Sequence, residues 1–166
     1  GLANGFLFAE ASIRSKKAGK KLAPLLEAMA VEAGALDVYT HSLGAKTGLF
    51  SIKKLKTAAV RNLILTAPAI SAKSLMPKKR FGFAGKSVTG KVAVFFSQND
   101  PAFFFPAKRK MGRRGIIGPQ SAYGKNFVNI DCTGEIQSHS RYWSSGTVVQ
   151  FLKQEGIVRK PHLSGK

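Results

Sequence analysis

The run Ala35-Leu-Asp-Val-Tyr-Thr-His-Ser-Leu-Gly-Ala45 carries an apolar strand pattern up to a serine and then stops at a glycine. Leu36 to Thr40 reads as a short buried strand, and Ser42 stands at the turn that follows it. A serine hydroxyl is a poor nucleophile until a sharp strand-to-helix turn exposes it, sets it beside a base and aims the first helix amides at the reacting centre. That turn needs small neighbours. Gly44 supplies one, whereas Thr40 puts a branched side chain where the pattern G-x-S-x-G has its first glycine. The stretch therefore predicts a nucleophile elbow with one glycine missing, and with it a strand that leads into a helix.

Upstream of the elbow, Ile13, Ala18, Leu22, Leu25, Leu26, Met29 and Ala30 recur at helical intervals between lysines, which predicts an amphipathic helix over Ala11–Ala33 ended by Gly34. Pro24 falls inside it, where a missing amide and a ring clash would kink it or divide it into two shorter helices. Downstream, Leu43–Thr57 has a sparse apolar stripe at Leu43, Leu49, Ile52 and Leu55, and Thr147–Gln154 supplies a helix near the end. Asn62–Ala67, Lys91–Ser97 and Phe127–Cys132 are further candidate buried strands. Strands alternating with helices imply an α/β fold, a mainly parallel sheet flanked by helices. Pro68–Gly90 and Pro101–Lys125 lack periodicity and read as long excursions above the strand ends, the edge at which open parallel sheets bind ligands.

With 166 residues and 44% hydrophobic content the chain is long enough for one domain with a core. No stretch approaches the roughly 20 apolar residues of a membrane span, and no signal-peptide succession opens the chain, so a soluble protein is the default expectation. A lone Cys132 excludes an intrachain disulfide framework. Three histidines without a Cys-x-x-Cys give no metal-ligand spacing, so no metal and no cofactor is called for. The charge is unusual: 27 Lys and Arg against 8 acidic residues leave +19, enough to attract nucleic acid or another polyanion without a dedicated site. The basic residues are spread along the chain with no nucleic-acid-binding signature among them, as on a solvated basic surface.

A serine nucleophile needs a base and an acid that orients it, both at the same sheet edge. Asp100 follows the strand Lys91–Ser97 in an Asp-Pro turn, and His139 follows Phe127–Cys132, immediately ahead of the last helix. Asp131 is a weaker substitute for Asp100, since it lies within a strand. His41 reads as a packed neighbour of the elbow, because adjacent strand residues point to opposite sides. His162 lies in a basic tail and reads as exposed.

Ser42, Asp100 and His139 stand in the chain order of the α/β-hydrolases, which this chain resembles. The likeness is closest to an esterase-like branch of uncharacterised bacterial hydrolases, whose elbow, Asn-Asp turn and late His-Ser segment read as Thr40-His-Ser-Leu-Gly44, Asn99-Asp100 and His139-Ser-Arg-Tyr142. It covers about residues 10–155 of a single domain over 1–166, with a basic tail at 156–166. The resemblance implies a partial α/β-hydrolase fold, with Ser42 as nucleophile, His139 as general acid and base, Asp100 as its orienting carboxylate and the amide of Leu43 as oxyanion donor.

The fold takes its second oxyanion donor from a loop after an earlier strand, and the chain opens almost directly on the helix ahead of the elbow strand, so those strands are expected to be missing. A second chain or a dimer would then complete the sheet, or Gly5-Phe-Leu-Phe-Ala9 would pair along its exposed edge. The leading reading is an esterase acting on a small acyl ester through an acyl-enzyme, with Phe103, Phe104 and Phe105, together with Phe81 and Phe83, as an acyl pocket or simply as a roof over the core. The alternative is a noncatalytic basic module of the same fold that binds nucleic acid or sits in a larger assembly.

Overall fold

Four β-rich runs pair side by side, all parallel, in the order β1 (Leu36–His41), β2 (Val60–Thr66), β3 (Val92–Phe96) and β4 (Phe127–Asp131). They are seen in a computed structural model that describes residues 2–56, 60–103 and 110–158, without the side chains of 2–7. The helices are α1 (Leu2–Ala33), α2 (Gly44–Ile52), α3 (Ala84–Ser87), α4 (Met111–Arg114) and α5 (Gly146–Gln154). This is an α/β fold. The inner strands β2 and β3 are buried almost throughout, as strands covered on both faces must be. Their alternation builds two cores. Leu63, Leu65, Val92 and Val94 meet Ala45, Leu49 and Ile52 of α2 on one face, while Ile64, Ala93 and Phe95 meet Val148 and Phe151 of α5 on the other.

α1 decides two points that the sequence leaves open. It runs as one helix of 32 residues through Pro24, and it begins at Leu2, so Gly5-Phe-Leu-Phe-Ala9 is helical and does not pair as an edge strand. Pro24 is exposed, so the Lys20 carbonyl that it leaves without a donor can turn to water. Packing sustains the helix across the break. Ala23 and Ala30 are buried, and α1 crosses α2 so closely at Gly19 that a Cβ there would come within 2.5 Å of the Thr47 carbonyl oxygen. Gly34, at φ +76°, ends α1 as the sequence predicts.

The register aligns the carboxyl ends of all four strands: His41 lies opposite Thr66, Thr66 opposite Phe95, and Phe96 opposite Asp131. Everything that follows these residues, from Ser42 to the loops holding Asp100 and His139, therefore rises from one edge. β1 and β4 are the outer strands of the described sheet. No helix among the described residues is long and apolar enough to cross a membrane.

Candidate active site

Ser42 has φ +53°, a left-handed conformation that costs a non-glycine residue about 1–2 kcal/mol. Three backbone bonds hold it there. Its N–H donates to the Thr66 carbonyl at 2.9 Å, continuing the ladder, and its own carbonyl accepts from Ala45 at 3.2 Å and Ala69 at 3.0 Å. A strained residue fixed on both sides at the start of a helix presents its side chain outward.

The glycine that makes room for this turn is not the one the sequence reading chose. A Cβ on Gly44 would meet nothing within 4 Å, whereas one on Gly48 would sit 2.8 Å from Thr40 Cγ2. Thr40 is buried with its hydroxyl donating to the Ile64 carbonyl at 3.2 Å. The branched residue at the first glycine position is thus accommodated by a glycine one turn into α2, and strand and helix keep their close approach with the two residue types exchanged.

Ser42 Oγ lies 2.8 Å from His139 Nε2, and His139 Nδ1 lies 2.8 Å from Asp100 Oδ2 and 3.1 Å from Oδ1. The Asp100 carboxylate is 0% exposed and accepts two further bonds, from the Ala102 N–H at 3.0 Å and from the Tyr142 hydroxyl at 3.4 Å. Burial, and then the charge of Asp100, push the Tyr142 phenol well above its usual range, so it stays a donor. A carboxylate accepts only; Nδ1 therefore carries the imidazole proton, and Nε2 is left to accept from the Ser42 hydroxyl. In this state His139 can take the proton of Ser42 as its oxygen attacks.

The loops after β3 and β4 hold Asp100 and His139 in place by bonding to each other. Ser97, fully buried, donates from Oγ to the Ile136 carbonyl at 2.8 Å and accepts from the Asn99 N–H at 3.1 Å. Gln98 N–H donates to Thr133 Oγ1 at 3.0 Å, and the Asn99 side chain to the Thr133 carbonyl at 3.2 Å. Asp131 accepts from the Thr133 N–H at 2.8 Å, so it orders the β4 loop and takes no part beside His139. Asp100 alone occupies the acid position.

Residues 3–156 match the model of a family described as a protein of unknown function, DUF726. The chain belongs to that family. No curated protein and no solved structure matches it. The region that matches the DUF726 model contains Ser42, Asp100 and His139 together with the loops that hold them.

Around this core of the DUF726 chain the structure departs from the sequence reading at His41 and decides between its two places for the phenylalanines. His41 is a neighbour of the base as well as of the elbow, its ring centroid 4.6 Å from that of His139. Strand alternation would have sent it the other way, but alternation holds only while the backbone stays extended, and the turn at Ser42 brings residues 41 and 42 together. His41 donates from Nδ1 to Thr66 Oγ1 at 3.2 Å, the Thr66 proton being given to the Thr40 carbonyl. Burial, and then the neighbouring His139, hold its pKa below the ordinary imidazole value. Phe103 takes the second of its two expected places: it is 2% exposed, packed in the core with its ring edge-on to His139 at 5.3 Å. Phe104, Phe105 and His162 lie outside the described residues. Phe81, 1% exposed, packs in the core against Phe50 and Phe83.

The apolar surface beside Ser42 lies instead between α1 and β1, a groove of about 480 Å³ floored by Leu22, Leu26, Met29 and Val38 that ends at His41 and Gly44. Trp143, 60% exposed, stacks on Tyr39 at 4.6 Å near the same end. Leu43 caps the start of α2, and its N–H has no protein acceptor among the described residues. No group of three or more metal-ligating side chains occurs among the described residues.

Proposed function

We propose that the chain is a serine hydrolase acting on carboxylic esters. The observation that carries this reading is the unbroken line from Ser42 Oγ through the His139 ring to the buried Asp100, with 2.8 Å at each junction. The order of these residues at the carboxyl ends of parallel strands, and the left-handed Ser42, support kinship with the α/β-hydrolases.

Ser42 Oγ attacks the acyl carbonyl carbon while its proton passes to His139 Nε2, and the imidazolium is stabilised at Nδ1 by Asp100. The oxyanion of the tetrahedral intermediate accepts from the Leu43 N–H. As the intermediate collapses, the C–O bond to the alcohol breaks and His139 returns the proton to the leaving oxygen. Water then attacks the acyl-serine with His139 again as base, which frees the carboxylic acid and restores Ser42. The groove between α1 and β1 would hold the acyl chain.

A second reading, a noncatalytic basic module that binds nucleic acid, draws on the net charge of +19. A fluorophosphonate probe separates the two. The esterase labels at Ser42 and hydrolyses a short-chain nitrophenyl ester, and Ser42→Ala and His139→Ala lose both. A folded protein that takes no label, and binds polyanions with a steep salt dependence indifferent to Ser42→Ala, is the basic module.

A further inference from the structure

Lys46 lies on the side of α2 turned away from Gly44 and Gly48, and so away from the apolar groove. On that side is a second cleft, of about 460 Å³, lined by five cations: Lys46, Lys73, Lys79, Arg80 and Lys110. Ser71 and Ser74 add hydroxyls to its wall. None of the chain's 8 carboxylates lines it, and among the described residues none pairs with any of these five cations. The excess positive charge of the chain is thus concentrated in a concavity as well as spread over the surface.

Two of the five are fixed by partners that do not neutralise them. Lys46 Nζ donates to Ser12 Oγ of α1, and Lys110 Nζ stands 5.3 Å over the ring of Phe8. Both side chains are partly buried. Burial, and then the charges of Lys110 and Arg80, hold Lys46 below the usual lysine range, so like charges add to the cost of burial there. An arrangement of this kind is preorganised for a multivalent anion, because the repulsion already present in the empty cleft is relieved when the anion enters.

The cleft belongs to the same edge of the sheet as the nucleophile. Ile70, in its wall, follows Ala69, whose N–H bonds the Ser42 carbonyl at 3.0 Å. Ser71 bridges to Lys110, and the Met111 N–H donates to the Ile70 carbonyl at 2.8 Å, so the loops after β2 and β3 close the cleft together. With the acyl groove on one side of α2 and the cations on the other, an ester bound at Ser42 would turn its alcohol part toward the cations.

We propose that this cleft binds a phosphate group carried on the alcohol part of the ester that Ser42 attacks. The place of the phosphate in a reaction rests on the esterase reading; the affinity of the cleft for phosphate does not. The group can belong to a small phosphorylated alcohol or to a lipid headgroup, which present the same chemistry to these side chains.

Titration of sn-glycerol 3-phosphate into the Ser42→Ala protein tests the cleft without any turnover. It is expected to bind where glycerol does not, and Arg80→Gln/Lys110→Gln is expected to weaken it about 10-fold or more. Lys16→Gln/Lys17→Gln, on the exposed side of α1, removes the same charge and leaves binding within about 2-fold, since it alters only the screened long-range field. Should the first pair fail to fold, Lys73→Gln/Lys79→Gln in the exposed loop reads the same loss. Equal weakening by the cleft and α1 pairs, or no binding at all, overturns the proposal.

With wild-type protein, kcat/KM for 1-butyrylglycerol 3-phosphate should exceed that for 1-butyrylglycerol, and the ratio should fall toward unity in the cleft variant. The same headgroup on a long-chain lipid in vesicles, hydrolysed in preference to the soluble ester, assigns the lipid source; the reverse preference assigns the small alcohol. If glycerol 3-phosphate binds and no ester of either kind is turned over, the cleft stands as a phosphate site and the esterase reading falls. If both butyryl esters are hydrolysed equally, the phosphate has no place in the reaction and the proposal falls while the esterase stands.

Discussion

The loops after β3 and β4 rise from the same edge of the sheet as the loop after β2, yet the first two pair their polar groups with each other and the third leaves its charges unpaired. Ser97, Gln98, Asn99 and Thr133 lace Asp100 and His139 together through bonds of 2.8–3.2 Å. Across the edge, Lys73, Lys79 and Arg80 have no carboxylate partner among the described residues. The difference fits the two roles proposed for these regions. Under the proposed mechanism, proton transfer from Ser42 to a His139 oriented by Asp100 would depend on donor and acceptor staying within tenths of an ångström of contact, which only a rigid supporting shell provides. Attraction of an anion falls off gently with distance, so cations gathered round a cleft would suffice without being laced to one another.

The largest effect should come from altering the laced side at its centre. Asp100→Asn keeps the shape but turns an acceptor into a group that also donates, and the His139 ring is then no longer held with its proton on Nδ1. A loss of about 10,000-fold in ester turnover is expected. Turnover within a few-fold of wild type would mean that the carboxylate has only a packing role.

Ser97→Ala tests the lacing itself at one remove from the chemistry. It leaves the buried Ile136 carbonyl without its donor and the Asn99 N–H, in an exposed residue, without its acceptor, for an expected destabilisation of about 1–3 kcal/mol read from the urea midpoint. If the bond positions His139, kcat falls while KM holds. A stability loss with kcat unchanged would reduce Ser97 to a structural residue and weaken the contrast between the two loop systems.

The elbow shows how far the sequence was legible and where it ceased to be. Ser42, Asp100 and His139 are recognisable because each is a chemically distinctive residue just beyond an apolar strand, and the register then brings them to one edge. The four strands announce themselves by β-branched and aromatic runs. Pro24 leaves one helix or two open in the sequence because propensity is local, while α1 is held across the proline by its packing at Gly19, Ala23 and Ala30. His41, Phe103 and the Ser97–Thr133 bonds were hidden because they depend on how loops distant in sequence fold over one another. Gly48 was within reach: a glycine inside a predicted helix, four residues after Gly44, is the natural place to look once Thr40 occupies the position of the first glycine.

That exchange can be broken and repaired. Gly48→Ala alone should cost about 1–3 kcal/mol through overpacking, because its Cβ would meet Thr40 Cγ2 at 2.8 Å. Thr40→Ser removes that methyl group and keeps the hydroxyl that bonds Ile64. The double variant should recover much of the Gly48→Ala loss. Additive effects in the double-mutant cycle would show that the two sites do not share the space, and the elbow would owe its tolerance of Thr40 to something else.

The smallest expected effect belongs to His41, which lies between the two kinds of environment, partly buried yet beside a second titratable ring. Its pKa in the folded chain is held below 6.5 by burial and then by His139, whereas in the unfolded chain it has its ordinary value. Between those two values the unfolded state binds more protons, so stability rises with pH through this window. The contribution is complete above 6.5 and is lost as pH falls through the folded value. His41→Gln removes the titration, and the midpoint of thermal unfolding should then decline less steeply than in wild type as pH is lowered from about 7 toward 5. Parallel declines would mean that His41 is solvated well enough to accept its proton beside His139, and the edge of the laced region would have to be drawn inside it.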